Sequence, residues 1–571
     1  MALGAMRERL RFLYGDRLGD QTYAELQRLL AEFGAPVSSG TSSRSPFHQS
    51  DVILISYGDS VLSNELRPLA ALRAFAERHL QDLVSTIHIL PFFPYSSDYG
   101  FSVVDYLQVD PELGNWGDIA TLHARFKLMF DFVLNHVSAG SAWFAKFLRG
   151  DSPYDEYFIT VDPRTDLSSV TRPRTSPLLT RYQTSRGERH VWTTFSSDQV
   201  DLNYANPRAL LQMIEVMLRY VERGADLLRM DAVGYLWKEV GTSCIHLPQT
   251  HEVVKLLRDI LDEVAPQVAI VTETNVPHRD NVSYFGDGYD EAQLVYQFPL
   301  APLVFDAFAR RDAGQLTTWA AALEIPSESA TFFNFLASHD GIGLVPARGI
   351  LNDSQIANLV QRTFAHGGQV SYKTDPDGRE SPYELNATFF DALSDPRDER
   401  EGWPTKLDRF ICSQAIMLAL AGVPGIYIHS LLGSHNDYVG YARSGWKRDL
   451  NHERLGLDHV ERRLADPADE ASQVFARYAR LLATRAAQPA FDPGSPQQVL
   501  EVGGQVFALR RGPRGGQTIH ALHSVSEEPQ VVDLGQLGEP RSAELEDLIG
   551  GRRVAADGLL DLAPYEVVWL A

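Results

Sequence analysis

Residues 225–233 read ADLLRMDAV, a short apolar run broken only by an arginine and an aspartate two positions apart. Bounded apolar runs of this length are read as buried strands. Seven other segments share the texture: 51–57 (DVILISY), 86–93 (TIHILPFF), 126–133 (FKLMFDFV), 268–273 (VAIVTE), 292–298 (AQLVYQF), 331–337 (TFFNFLA) and 425–429 (GIYIH). Between them lie helical patterns such as Pro68–Leu83, Pro207–Arg223 and His251–Val264. Strands that alternate with helices imply a parallel sheet with crossover helices. Eight such strands close a (β/α)8 barrel, the fold class expected here.

The chain has 571 residues, more than one core of about 250–300 residues accommodates. Working outward from the barrel, residues 1–50 read as a helical extension, with Leu10, Phe12, Leu13, Tyr23, Leu26, Leu29, Leu30 and Phe33 at helical spacing in two helices. A Ser-, Gly- and Pro-rich linker follows at Val37–Ser45. The barrel is expected over 51–138, 201–340 and 399–490. Two polar stretches interrupt it, a lid at 139–200 and a second insertion with an acceptor loop at 341–398. Insertions of that length are usually functional, and in barrels they sit over the C-terminal strand ends. Residues 491–571 carry short alternating runs with glycine-rich turns, the pattern of a small antiparallel β domain.

Composition narrows the partners. Seventy-four acidic against 52 basic residues give a formal charge of −22, which repels nucleic acid and anionic lipid. Two cysteines, Cys244 and Cys412, do not indicate a disulfide framework. The N-terminal segment has no apolar signal core, and no run is long enough to span a membrane. A cytoplasmic enzyme of small molecules, monomeric or homodimeric, is expected.

Four motifs close predicted strands, the end at which barrels build their sites. They are Asp131–His136 (DFVLNH), Arg229–Asp231 (RMD), Glu273, and the pair His339 and Asp340. A strand-end aspartate is often just a helix cap, and a strand-end histidine often only a hydrogen-bonded structural group. Four in order are harder to explain that way, because ionised groups there are costly unless paired or functional.

This ordered set resembles the α-amylase family. The segments at 229–244 (RMDAVGYLWKEVGTSC), 96–106 (SSDYGFSVVDY), 172–174 (RPR), 383–390 (YELNATFF) and 447–451 (KRDLN) resemble its sucrose phosphorylase branch. The resemblance covers residues 50–571. It implies retaining transfer of an α-glucosyl unit, with Asp231 as nucleophile, Glu273 as general acid/base and Asp340 as the third carboxylate. Two carboxyl groups about 5–5.5 Å apart suit that chemistry. Asp98, Phe101, His136, Arg229, Tyr235, His339 and Arg448 resemble glucose-holding residues. Arg229 is expected to keep Asp231 ionised, and Glu273 to have a raised pKa. Asp131 and Asn135 are expected to brace the loops around His136.

The acceptor is the open question. Arg174 and Tyr383 match positions that the branch uses for phosphate, and Arg172 reads as a tie for their loop. Glu384 stands where sucrose phosphorylases carry glutamine, and an acid there is expected to repel phosphate or recruit a cation. The loop 371–386 (SYKTDPDGRESPYELN) is more similar to that of the glucosylglycerate phosphorylases, a sister group. Lys373 and Arg379 within it are candidates to pair with a glycerate carboxylate. Glucosylglycerate is therefore the favoured substrate and sucrose the second, with a hydrolase or transglucosidase as the alternative. No Asp-rich calcium loop is present, so no metal or cofactor is expected. A non-catalytic barrel would be expected to lack one of the three acids.

Overall fold

The computed structural model describes residues 2–33, 47–375, 378–513, 516–538 and 544–571. The eight expected runs are the eight strands of a closed parallel barrel: β1 (Ile53–Ser56), β2 (Thr86–Ile89), β3 (Lys127–Val133), β4 (Leu227–Asp231), β5 (Ala269–Thr272), β6 (Leu294–Tyr296), β7 (Thr331–Phe335) and β8 (Val423–Tyr427). They pair in chain order and β1 closes on β8. Every strand except the first residue of β3 is buried, because helices cover the outside and side chains fill the inside.

Sequence chemistry sets the helix starts. Pro68, Pro207 and Pro248 each open a helix, where the missing N–H is not needed. Asn206 accepts from the Arg208 amide, and Asn115 forms a capping box with Asp118. The N-terminal extension is two helices joined at Gly15, whose φ of 76° interrupts the segment Ala2–Glu32. It packs on the helices Pro207–Glu222 and Pro248–Val264, where Arg9 bridges Asp259 (2.6 Å) and Glu252 (3.0 Å). The expected linker at Val37–Ser45 lies outside the described residues.

The two long insertions carry more order than their polar sequence suggests. Within 139–200 are a helix (Ala142–Arg149), an antiparallel hairpin (Leu179–Thr184 with Gly187–Trp192) and the strand Gln199–Asp201, which pairs with His136–Ser138. Within 341–398 a three-stranded sheet joins Ile342–Gly343, Gln369–Thr374 and Glu380–Asn386. After the barrel come a four-stranded antiparallel sheet and two smaller strand pairs, with a core around Val506, Leu522, Leu560 and Val568. Among the described residues no helix is long and apolar enough to cross a membrane. Likewise no cluster of His, Cys, Asp and Glu is arranged to hold a metal ion.

Candidate active site

Strand register places the acids. Thr272 of β5 pairs with Met230 of β4, and the Glu273 amide donates to the Met230 carbonyl. Asp231 and Glu273 therefore follow at equivalent positions on neighbouring strands. Asp131 of β3 pairs with Arg229 of β4, so this acid lies directly beside the arginine. Alternation puts Arg229 and Asp231 on the same face.

A single cavity at this rim is lined by Asp98, Phe101, His136, Arg174, Phe195, Gln199, Asp231, Ala232, Glu273, Asn275, His339, Asp340, Tyr383, Glu384 and Arg448. All three predicted acids face it. Of the other twelve predicted residues it gathers Asp98, Phe101, His136, Arg174, His339, Tyr383, Glu384 and Arg448. Arg229 and Tyr235 stand behind the lining. Lys373 and Arg379 lie on the hairpin of Gln369–Thr374 and Glu380–Asn386, outside it; Lys373 pairs with Asp375 and Arg379 is exposed.

Arg229 organises the floor. Its guanidinium donates to Asp231 (2.9 Å), to Asp131 and to the Tyr296 hydroxyl (2.9 Å), and lies 3.8 Å from Glu273. His88 holds the other oxygen of Asp131 at 2.7 Å. His88, Asp131, Arg229, Asp231 and Tyr296 are buried and Glu273 is partly so, and these charged groups meet one another rather than water. Ala232 adopts φ 51°, an unfavourable region for a residue with a Cβ, and its amide donates to Glu273 at 3.0 Å. The strain sits where the turn after Asp231 must present an N–H to Glu273.

The electrostatics differ from one expectation. Burial raises Asp231 to about 7 despite the pull of Arg229, with Asp131 and Asp340 adding to the rise, and raises Glu273 to about 7 as well, with Asp231 and Asp340 adding to it. The direct guanidinium hydrogen bond favours the anion on Asp231, whereas Glu273 meets Arg229 only at 3.8 Å. One proton on the pair therefore resides on Glu273. Burial pushes Asp340 up, but Arg448, His339, Arg229 and Arg174 outweigh it and hold that carboxyl below the usual range. His339 is lowered by burial to about 3 and stacks on Phe101 at 5.0 Å, so it is a neutral ring.

Glu384 has a partner that the sequence did not disclose. Arg448 bridges Asp340 (2.7 Å) and both oxygens of Glu384 (3.0 and 3.1 Å). The acid is thus neutralised by an internal cation, which corrects the expectation that it repels phosphate or recruits an ion. Arg174 is placed with its guanidinium 5.4 Å from the Tyr383 ring centroid, on the cavity wall. Arg172 donates to the Ser176 carbonyl, tying its own loop.

Several lining and supporting residues went unread in the sequence. Gln199 donates to Asp98 (3.0 Å) and contacts His136 (3.3 Å), joining the lid to that side of the cavity. Its neighbourhood is polar and aperiodic, so no pattern marked it. Lys238 is buried between Asn135 (2.7 Å) and Asp201 (2.7 Å), locking the β3 exit, the lid and the β4 exit together. A lysine seven residues after a strand-end aspartate gave no signal by itself. Asn275, two residues past Glu273, was within reach of the i, i+2 argument.

Residues 78–343 match the family model for the α-amylase catalytic domain. The chain is 49% identical to a glucosylglycerate phosphorylase of Allomeiothermus silvanus, over 99% of this chain and 97% of that protein. It is 47% identical to one from Spirochaeta thermophila, over 99% and 98%. Among solved structures, the sucrose 6F-phosphate phosphorylase of Thermoanaerobacter thermosaccharolyticum superposes with a TM-score of 0.73 at 24% identity, over 85% of this chain and 96% of that one; this likeness concerns the fold.

Proposed function

We propose, from the premise that this chain belongs to the α-amylase family, that it is a retaining glucoside phosphorylase acting on glucosylglycerate. It moves the α-glucosyl unit to phosphate, giving α-glucose 1-phosphate and glycerate. The observation that carries the reading is Arg174 on the wall of the same cavity as Asp231, Glu273 and Asp340. A fixed guanidinium beside the reacting acids suits an anionic acceptor rather than water. Full-length relatives with that activity support the choice of glucoside.

The chemistry follows from the pair. Neighbouring strands lie about 4.8 Å apart, so carboxyls at equivalent positions fall near the 5–5.5 Å of a retaining pair. Asp231 attacks the anomeric carbon while Glu273 delivers its proton to the bridging oxygen, and glycerate leaves. Phosphate then attacks the glucosyl–Asp231 ester as Glu273 takes its proton, which frees Asp231 and restores the acid. Asp340, kept ionised by Arg448, faces the positive charge that develops on the sugar ring. Asp98, His136, His339 and Arg448 hold the glucose hydroxyls, and Phe101 backs the ring. Tyr235 supports this wall through Phe195, at a ring distance of 5.4 Å. Tyr383 shapes the acceptor end, and Glu384 beside it is tied by Arg448 to the glucose end.

Incubation with glucosylglycerate and phosphate tests the reading, with α-glucose 1-phosphate as the readout. Product from sucrose instead would transfer the assignment to the sucrose enzymes. Glucose release that is independent of phosphate would make the protein a hydrolase.

A further inference from the structure

We infer that Asn275 is a specificity-determining residue that binds the terminal hydroxyl of the leaving group. The inference rests on the glucosylglycerate reading above.

Asn275 lines the cavity two residues after Glu273, on the same rim. Its Oδ1 is buried and has no hydrogen-bond partner, and among the described residues nothing bonds the other end of the amide. Leaving a buried polar group unpaired costs about 1–3 kcal/mol, so an amide that lines the cavity without a protein partner is explained by a ligand that bonds its cavity-facing end. The surrounding wall fixes where that ligand group sits. A Cβ built on Gly343 would lie 3.1 Å from both amide atoms, so the side chain is pressed against the strand Ile342–Gly343. Gly343 pairs with Glu384, the next residue after Tyr383. The amide therefore stands between the acid/base and the acceptor wall.

Charge then assigns the group. Arg174 is the cation of the acceptor wall, and it suits the glycerate carboxylate or the phosphate that replaces it. Beside Asn275 is Glu273, which becomes an anion each time it gives up its proton, and this disfavours a second anion there. An amide both donates and accepts, as does a hydroxyl. Glycerate linked through its second carbon offers one such group, the hydroxyl on its third carbon. A leaving group with a carboxylate at one end and a hydroxymethyl at the other fits this wall, and one with a methyl does not.

The test runs in the synthetic direction, with α-glucose 1-phosphate as donor and phosphate release as readout. Acceptors are D-glycerate and D-lactate, which lacks only the terminal hydroxyl. The wild type should prefer glycerate by about 10- to 100-fold in kcat/KM. Asn275→Ala should lose that factor on glycerate and stay within about twofold on lactate. Gly343→Ala, which displaces the amide without removing it, should give the same selective loss. Equal losses on both acceptors would mean a structural role and overturn the inference. So would a wild type indifferent to the hydroxyl. A wild type that transfers to water but to neither glycerate nor lactate would instead defeat the glucosylglycerate assignment itself, and the inference with it.

Discussion

At the glucose end of the cavity, Arg448 is gripped by Asp340 and Glu384, Gln199 links Asp98 to His136, and Arg229 spans Asp131 and Asp231. At the acceptor end, Arg174 rests on the Tyr383 ring and Asn275 has no partner. The first wall is a closed network of paired charges, and the second leaves hydrogen-bonding capacity open. The contrast teaches which step each serves. One glucosyl unit must be held identically through two displacements, so its wall is preorganised. The acceptor wall admits glycerate and phosphate in turn, so its polar groups are satisfied by whichever is present.

The largest effects belong to the floor shared by both walls. Asp231→Asn should lower kcat for phosphorolysis at least about 10⁴-fold, and Glu273→Gln about 10²–10⁴-fold, measured by α-glucose 1-phosphate formation. A Glu273→Gln enzyme with unchanged turnover would remove the acid/base role assigned to Glu273. Because Asp231 must be ionised and Glu273 protonated, kcat/KM should be bell-shaped in pH. Its alkaline limb falls as Glu273 loses its proton above about 7, and its acid limb as Asp231 gains one below about 7. The limbs belong to the pair, so Glu273→Gln should abolish the alkaline one.

Next in size is the closed glucose wall. Arg448→Met leaves the buried Glu384 and the partly buried Asp340 without their cation, and breaking a buried ion pair costs about 3–5 kcal/mol of stability. Thermal unfolding should register the drop, and Glu384→Gln in the same protein should return part of it. If stability is unchanged, the closed network is not what holds this wall.

The open wall should respond more mildly and more selectively. Arg174→Gln should raise the KM for phosphate by about 10- to 100-fold, the value of one charged hydrogen bond of about 1.5–3 kcal/mol, with the fold intact. Lys373→Ala is the smallest change expected. Its ammonium pairs with Asp375 outside the cavity, so acceptor kinetics should move by less than about twofold. A large loss would bring the hairpin into the acceptor site and redraw the comparison.

Legibility tracked regularity. The eight barrel strands, the helix-opening prolines and the strand-end acids were read from residues 51–429, because each follows from a short local pattern. The hairpin and strands inside 139–200 were not, since that stretch is polar and gives no period. Arg174 and Tyr383 were found only through resemblance, and Asn275 was passed over although it follows Glu273 by two positions.

What the sequence by itself determined was the parallel barrel and the identity of the acids at its rim, because strand period and strand ends are properties of contiguous residues. Only the tertiary structure decided which charges meet. The Arg448–Glu384 pair joins residues 64 positions apart and Lys238–Asp201 joins the lid to the barrel. Asp231, which its near neighbour Arg229 was expected to hold fully ionised, is raised instead by the burial that the whole fold imposes. Desolvation and pairing depend on distance in space, and no local pattern encodes them.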